Sequence, residues 1–159
     1  MTDFQTLLAT LARHRVNFVV IGGAAAIAHG SARLTQDLDI LYERSTENFV
    51  RLIGALADYE PYLRGVPQGL PFRWEVATLE RGLNFTLVTS VGDIDLMGEI
   101  PGGGTYRDLA PDAVELHIFE SRCLCLSLPQ LIRAKRATGR AKDWEAIAEL
   151  EAMEEENGG

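Results

Sequence analysis

Two cysteines in 159 residues, Cys123 and Cys125, are too few for a disulfide framework or a four-cysteine zinc site. At alternate positions of one strand, with no second His or Cys pair to join them, they read as core residues. No stretch approaches the ~18 consecutive apolar residues of a membrane span. The opening Met1-Thr2-Asp3-Phe4 lacks the basic-then-apolar order of a secretory signal, so the expectation is a cytoplasmic protein with no membrane partner. Gly22-Gly23 has no third glycine at dinucleotide-binding spacing and no Gly-Lys-Ser/Thr after it, which excludes the Rossmann and P-loop readings. Internal repeats are missing, and low complexity is confined to the acidic C-terminus.

Hydrophobic residues make up 47 % of the chain and charged residues 24 %, the balance of a chain that folds around a core. The length suits a single domain over 1–159. The net charge of −8 is local in origin. Seven acids and no bases lie between Asp143 and Glu156, and without them 16 acids face 15 bases. Such a tail neither predicts nor excludes a nucleic-acid partner, because a local basic patch binds phosphates on an acidic protein.

Apolar spacing at Phe4, Leu7, Leu8 and Leu11 predicts a helix over 3–14. A short buried strand over 17–21 then stops at Gly22-Gly23, and a small-residue helix over 24–29 is closed by Gly30. Residues 35–42 alternate with period two, and Ser45 caps a helix to about residue 57. The segment 61–71, with three prolines and two glycines, reads mostly as loop. Strands are expected over 72–76, 83–89, 91–97, 113–119 and 123–127. The loop Pro101-Gly102-Gly103-Gly104 reads as the most flexible segment, a connection or lid. Helices over 128–138 and 141–153 close the chain. Helix and strand alternate and then give way to a run of strands, so the fold class is α+β (mixed α/β), with a sheet core and helices over 1–127 and C-terminal helices over 128–156.

Four features carry chemistry. Gly22-Gly23, between strand and helix, exposes backbone N–H groups where the helix dipole favours a phosphate, although a tight turn alone also calls for glycine. Asp37 and Asp39, two apart on a strand, project from one face with Cα atoms roughly 6.5–7 Å apart. That span suits metal ions about 3.5–4 Å apart. Asp93 and Asp95 repeat the arrangement, and in both strands the alternate residues (Leu38, Ile40, Ile94, Leu96) face the core. Converged carboxylates repel one another and call for a cation. Lys135 falls in the middle of the apolar stripe Leu128-Leu131-Ile132, whereas Arg133, Arg136 and Arg140 share another face. A lysine so placed neutralises a phosphate, pairs with a carboxylate, or packs its stem and reaches water.

The run Val19-Val20-Ile21-Gly22-Gly23, followed by Arg33-Leu34-Thr35-Gln36-Asp37-Leu38-Asp39-Ile40, resembles the signature of the nucleotidyltransferase superfamily. The finer pattern Gly-Gly-x-Ala…His-Gly…Arg-x-Thr-x-Asp-Leu-Asp-Ile, with the tail Leu131-Ile132-Arg133-Ala134-Lys135-Arg136…Gly139-Arg140-Ala141-Lys142-Asp143, is similar to the AbiEii- and MenT-type toxins. The resemblance covers about 16–42 and 91–150. It implies a minimal nucleotidyltransferase fold, a twisted mixed sheet flanked by helices with a C-terminal helical pair. It implies transfer of NMP from an NTP to a hydroxyl, with Gly22, Gly23, Arg33, Thr35, Lys135 and Asp143 binding nucleotide. Asp37, Asp39 and Asp95 would hold two Mg²⁺, with Asp95 deprotonating the acceptor and Lys135 facing the phosphates. A register shift of two residues would put Asp93 in the place of Asp95. The toxin relatives further imply a tRNA 3′ end or other RNA as acceptor and a cognate antitoxin as partner. Small-molecule (antibiotic-type) and protein acceptors share the same plan, and a catalytically silent nucleotide- or partner-binding module is the alternative from another class. Ala146, where those toxins often carry a further Asp, departs from the pattern.

Overall fold

A computed structural model describes residues 1–67 and 69–158 and leaves the side chain of Lys142 aside; Gln68, inside the segment read as loop, and Gly159 lie outside the described residues. The elements run α1 (Phe4–Arg13), β1 (Phe18–Ile21), α2 (Gly22–Ala28), β2 (Asp37–Tyr42), α3 (Thr46–Leu56), β3 (Tyr62–Leu63), α4 (Val76–Arg81), β4 (Phe85–Thr89) and β5 (Gly92–Met97). They continue with β6 (Glu99–Ile100), β7 (Gly104–Thr105), α5 (Tyr106–Leu109), β8 (Val114–Ile118), β9 (Ser121–Cys125), α6 (Leu128–Thr138) and α7 (Trp144–Gly158).

Seven strands form one sheet in the order β3-β4-β5-β2-β1-β9-β8, and β6 and β7 form a separate ribbon. β2 and β5 are parallel, as are β1 and β9, and the other pairs are antiparallel. The mixed α+β class expected from the element order is therefore observed. β1 is buried at every position, as a strand covered on both faces must be, whereas β4 alternates buried and exposed.

Local chemistry explains the helix boundaries. Asp3 caps α1 by accepting from the Thr6 N–H, and Ser45 caps α3 by accepting from the Asn48 N–H. Ser127 and Gln130 form a reciprocal capping box at the start of α6, and Gly139 ends that helix in the left-handed conformation. Leu7, Leu8 and Leu11 of α1, with Phe49, Leu52 and Leu56 of α3, join the sheet in one core. Asn48 is fully buried. Its amide accepts from the Asn17 N–H at 2.7 Å and donates to the carbonyls of Asn17 (3.0 Å) and Glu43 (2.8 Å), tying α3 to the ends of β1 and β2.

Two local expectations are corrected. Residues 72–76 form no strand: Phe72 packs edge-on against Tyr62, and the Trp74 indole donates to the Ile53 carbonyl, so these aromatics anchor a connection that ends in α4. The described residues of 61–71 are mostly loop, as expected, apart from the two-residue β3, which pairs with β4 at the edge of the sheet. The Gly102-Gly103-Gly104 loop is held between β6 and β7 with Gly102 against Ala137 and the Arg133 carbonyl of α6, a packed ribbon in place of the expected flexible connection. Boundaries also move: α2 begins at Gly22 itself, β9 covers Ser121–Cys125 in place of 123–127, and α7 starts at Trp144 and continues to Gly158, past the expected end at 153.

Candidate active site

The parallel pairing of β2 and β5 sets Asp37 opposite Asp93 and Asp39 opposite Asp95. Leu38, Ile40, Ile94 and Leu96 are fully buried, so the four carboxylates share the opposite face of the sheet. The Thr2 hydroxyl fixes this register by donating to the Gln36 carbonyl at 2.5 Å and accepting from the Asp93 N–H at 3.0 Å.

Carboxylate oxygens of Asp37, Asp39 and Asp95 all lie within 4.8 Å of one another. Asp95, directly across from Asp39, joins this group. Burial, and then the proximity of Asp95 and Asp37, pushes the Asp39 carboxyl up to about 8. Burial and Asp95 also raise Asp37, against the opposing pull of Arg64. Asp39 Oδ1 is buried without a hydrogen-bond partner among the described residues. An orphaned buried oxygen inside a repelling all-carboxylate cluster fits a hard divalent cation such as Mg²⁺ or Mn²⁺.

Gly22 and Gly23 form the adjoining wall. Gly22 has φ +62°, and a Cβ there would overlap Asp39 Oδ2. A Cβ on Gly23 would come within 2.7 Å of Thr35 Oγ1. The glycine pair is therefore required by close approach of the backbone to Asp39 and Thr35. Thr35 in turn donates to the Asp37 carbonyl at 3.2 Å, which ties this wall to the start of β2.

Beside this wall lies a cleft of about 200 Å³ whose lining includes Gly22, Gly23, Arg33, Leu34, Lys135 and Asp143. Lys135 Nζ is 3.5 Å from Asp143 Oδ1, and its side chain is 32 % exposed. Asp143 is buried and also accepts from the Thr138 hydroxyl and Arg140 Nε, each at 2.9 Å. Burial opposes its ionisation, but the Thr138 bond, Lys135 and Arg140 together hold its carboxyl below the ordinary range. Asp143 thus sits behind Lys135 as its counter-ion. Arg33 approaches Glu145 at 3.7 Å and Glu149 at 3.5 Å on α7.

Sequence reasoning missed Arg64. This residue follows β3, and its guanidinium reaches across the acidic face: Nη2 to Asp95 Oδ1 at 2.6 Å, Nε to Asp93 Oδ2 at 3.4 Å and Nη1 to Asp37 Oδ2 at 3.6 Å. Burial acts to lower its pKa, and the three aspartates outweigh that effect and keep it charged. The signal that points to such a residue is charge balance. Four acids on one sheet face, with no base on either strand, call for a cation from elsewhere.

The sequence matches no protein-family model and no curated protein. Solved structures do match. A Thermotoga maritima protein assigned as a nucleotidyltransferase superposes with TM-score 0.57 at 16 % identity, over 91 % of this chain and 88 % of that one. ANT(2″)-Ia, solved with adenylyl-2″-tobramycin, superposes with TM-score 0.62 at 15 % identity, over 97 % and 86 %. The lincosamide antibiotic adenylyltransferase LnuA, solved with lincomycin, gives 0.61 at 15 % identity, over 96 % and 98 %. With a mixed sheet that carries its acidic strands side by side and a glycine pair packed against them, the chain adopts the nucleotidyltransferase fold.

Proposed function

We propose that this chain is a metal-dependent nucleotidyltransferase that moves NMP from an NTP to an acceptor hydroxyl. The observation that carries the reading is the convergence of Asp37, Asp39 and Asp95 beside the Gly22-Gly23 wall of the cleft. The three carboxylates would hold two Mg²⁺, which supply charge neutralisation on the reacting phosphate and on the attacking and leaving oxygens. Asp95 takes the proton of the acceptor hydroxyl as its oxygen bonds to the α-phosphorus. The bond from that phosphorus to the bridging oxygen of the β-phosphate breaks, and pyrophosphate leaves. Gly22, Gly23 and Thr35 shape the wall against which the triphosphate lies, and Lys135 and Arg33 offset its charge from the cleft. Asp143 keeps Lys135 directed into that space. Most of the work asked of the protein is positioning and preorganised charge.

Two acceptor classes follow from different observations. The Gly-Gly…Asp-Leu-Asp-Ile resemblance to toxin nucleotidyltransferases supports a tRNA 3′ end with an antitoxin as cognate partner, and the exposed arginines of α6, Arg133 and Arg136, with Arg140 just past its cap, would meet RNA phosphates. Arg136, however, is paired with Glu151 at 2.7 Å, and Arg140 with Asp143, so two of the three arginines already have acidic partners. That pairing, and the antibiotics bound in two structural neighbours, favour a small-molecule hydroxyl as the second reading.

The test is label transfer from each of the four [α-³²P]NTPs with Mg²⁺, offered total tRNA, an aminoglycoside, a lincosamide, or the protein alone. Label is expected on one acceptor with wild type and on none with Asp39→Ala. An Asp39→Ala variant that keeps more than about a tenth of the wild-type rate contradicts the assignment, because loss of a metal-holding carboxylate removes several kcal/mol of transition-state stabilisation.

A further inference from the structure

The acidic face contains a cation of the protein's own, in the place where the proposed metal ions would bind. Arg64 Nη2 takes Asp95 Oδ1 at 2.6 Å, and Nη1 stands 3.6 Å from Asp37 Oδ2. These are two of the three carboxylates whose oxygens converge within 4.8 Å. The guanidinium is fastened from behind: Nη2 also donates to the Leu87 carbonyl, and the Arg64 N–H to the Thr86 carbonyl, each at 2.9 Å. Its side chain is 32 % exposed, so a path to solvent is open to it. The interaction is not fully satisfied. Among the described residues Nε is buried without a hydrogen-bond partner, as is Asp39 Oδ1, so neither the arginine nor the cluster has its bonding completed by the other. Arginine presents donors in a rigid planar fork and cannot supply the converging short contacts that three carboxylates give a divalent ion.

We propose that Arg64 is a resident counter-ion of the acidic site that a divalent metal displaces from Asp95 and Asp37, so that metal binds by exchange of cations. The inference rests on the reading of Asp37, Asp39 and Asp95 as metal-holding residues. While Arg64 holds Asp95 Oδ1, one of the two oxygens open to the acceptor proton is occupied; the exchange frees it only when metal has arrived. A guanidinium and a divalent cation sharing one carboxylate oxygen repel each other, so the arginine must withdraw toward the β3–β4 edge to which its backbone is bonded. Arg64 is a positioning residue in this scheme, and its removal strengthens metal binding even as it disturbs the metal-free site.

Titration of wild type, Arg64→Met and Arg64→Lys with Mn²⁺ alone, by calorimetry and by the spin resonance signal of free Mn²⁺, tests the exchange. Arg64→Met is expected to bind at least about tenfold more tightly than wild type, since one competing charge is gone, with Arg64→Lys between the two. In wild type, the Arg64 Nε–H resonance should move on addition of Mg²⁺ with the same midpoint as binding. Equal or weaker Mn²⁺ affinity in Arg64→Met, or a stationary Nε–H signal at saturation, overturns the exchange and leaves the metal site standing. Should Arg64→Met not fold, Arg64→Lys and the resonance decide. Folded wild type and variants that all fail to bind Mn²⁺ overturn the metal reading, and the exchange with it.

Discussion

Replacement of Asp39 by asparagine keeps the shape of the residue and removes its charge, which isolates the strain that the acidic cluster places on the metal-free fold. Asp39 holds its proton up to about pH 8 in the folded chain, chiefly through burial and then through Asp95 and Asp37. In the unfolded chain it ionises near the ordinary carboxylate value of about 3.9. Between those limits the folded state binds the extra proton, so stability is greatest at the acid end and falls as pH rises toward 8. Each pH unit inside the window is worth 1.36 kcal/mol, so from pH 5.5 to 7.5 this one group costs about 2–3 kcal/mol. At this chain length that corresponds to roughly 5–10 °C in melting temperature. Thermal melts in EDTA at the two pH values, compared between wild type and Asp39→Asn, read the effect as a difference in which titrating groups outside the acidic cluster cancel. Asp39→Asn should lose less stability than wild type over the interval and be the more stable protein at pH 7.5. Mg²⁺ should narrow the gap by restoring wild type alone. Parallel pH dependences for the two proteins would refute the reasoning, since Asp39 would then be ionised in the absence of a metal ion.

Other residues give equally direct tests. Gly22→Ala puts a side chain at φ +62° and against Asp39 Oδ2, so a destabilisation of about 1–2 kcal/mol is expected together with loss of Mn²⁺ binding, read by melting and by titration. Asn48→Ala removes three hydrogen bonds at a fully buried side chain and should cost about 2–4 kcal/mol in urea unfolding; a loss below ~1 kcal/mol would mean that water replaces the amide. Lys135→Met should weaken NTP binding about 10- to 100-fold with little change in Mn²⁺ affinity, because the lysine faces the cleft and not the acid cluster, and equilibrium dialysis separates the two.

Much of the site was legible because its signals are local. The glycine pair marks the turn from β1 into α2, and period-two alternation in Asp37-Leu38-Asp39-Ile40 and Asp93-Ile94-Asp95-Leu96 sorts acids from core residues without knowledge of the partner strand. The helical position of Lys135 likewise gave its inward direction. The resemblance named Asp95 and left Asp93 open to a shift of two residues; only the pairing of β2 with β5, strands more than fifty residues apart whose register no local pattern specifies, sets Asp95 opposite Asp39. Arg64 was hidden for a related reason. It follows a two-residue strand in a segment rich in proline and glycine, too short for any periodicity, and only the sheet order brings it over the acids. The strand expected over 72–76 failed because Phe72, Trp74 and Val76 alternate as strand residues do, although the Phe72 and Trp74 rings pack a connection against Tyr62 and α3.

The most direct test of the account is a crystal structure of wild type with Mn²⁺ and an NTP analogue that cannot be cleaved between its α- and β-phosphates, with manganese located by anomalous scattering. The account predicts manganese between Asp37, Asp39 and Asp95, phosphates along Gly22-Gly23 facing Lys135, and the α-phosphorus on the Asp95 side of the cleft. Manganese elsewhere, or a triphosphate bound away from the glycine pair, would contradict it.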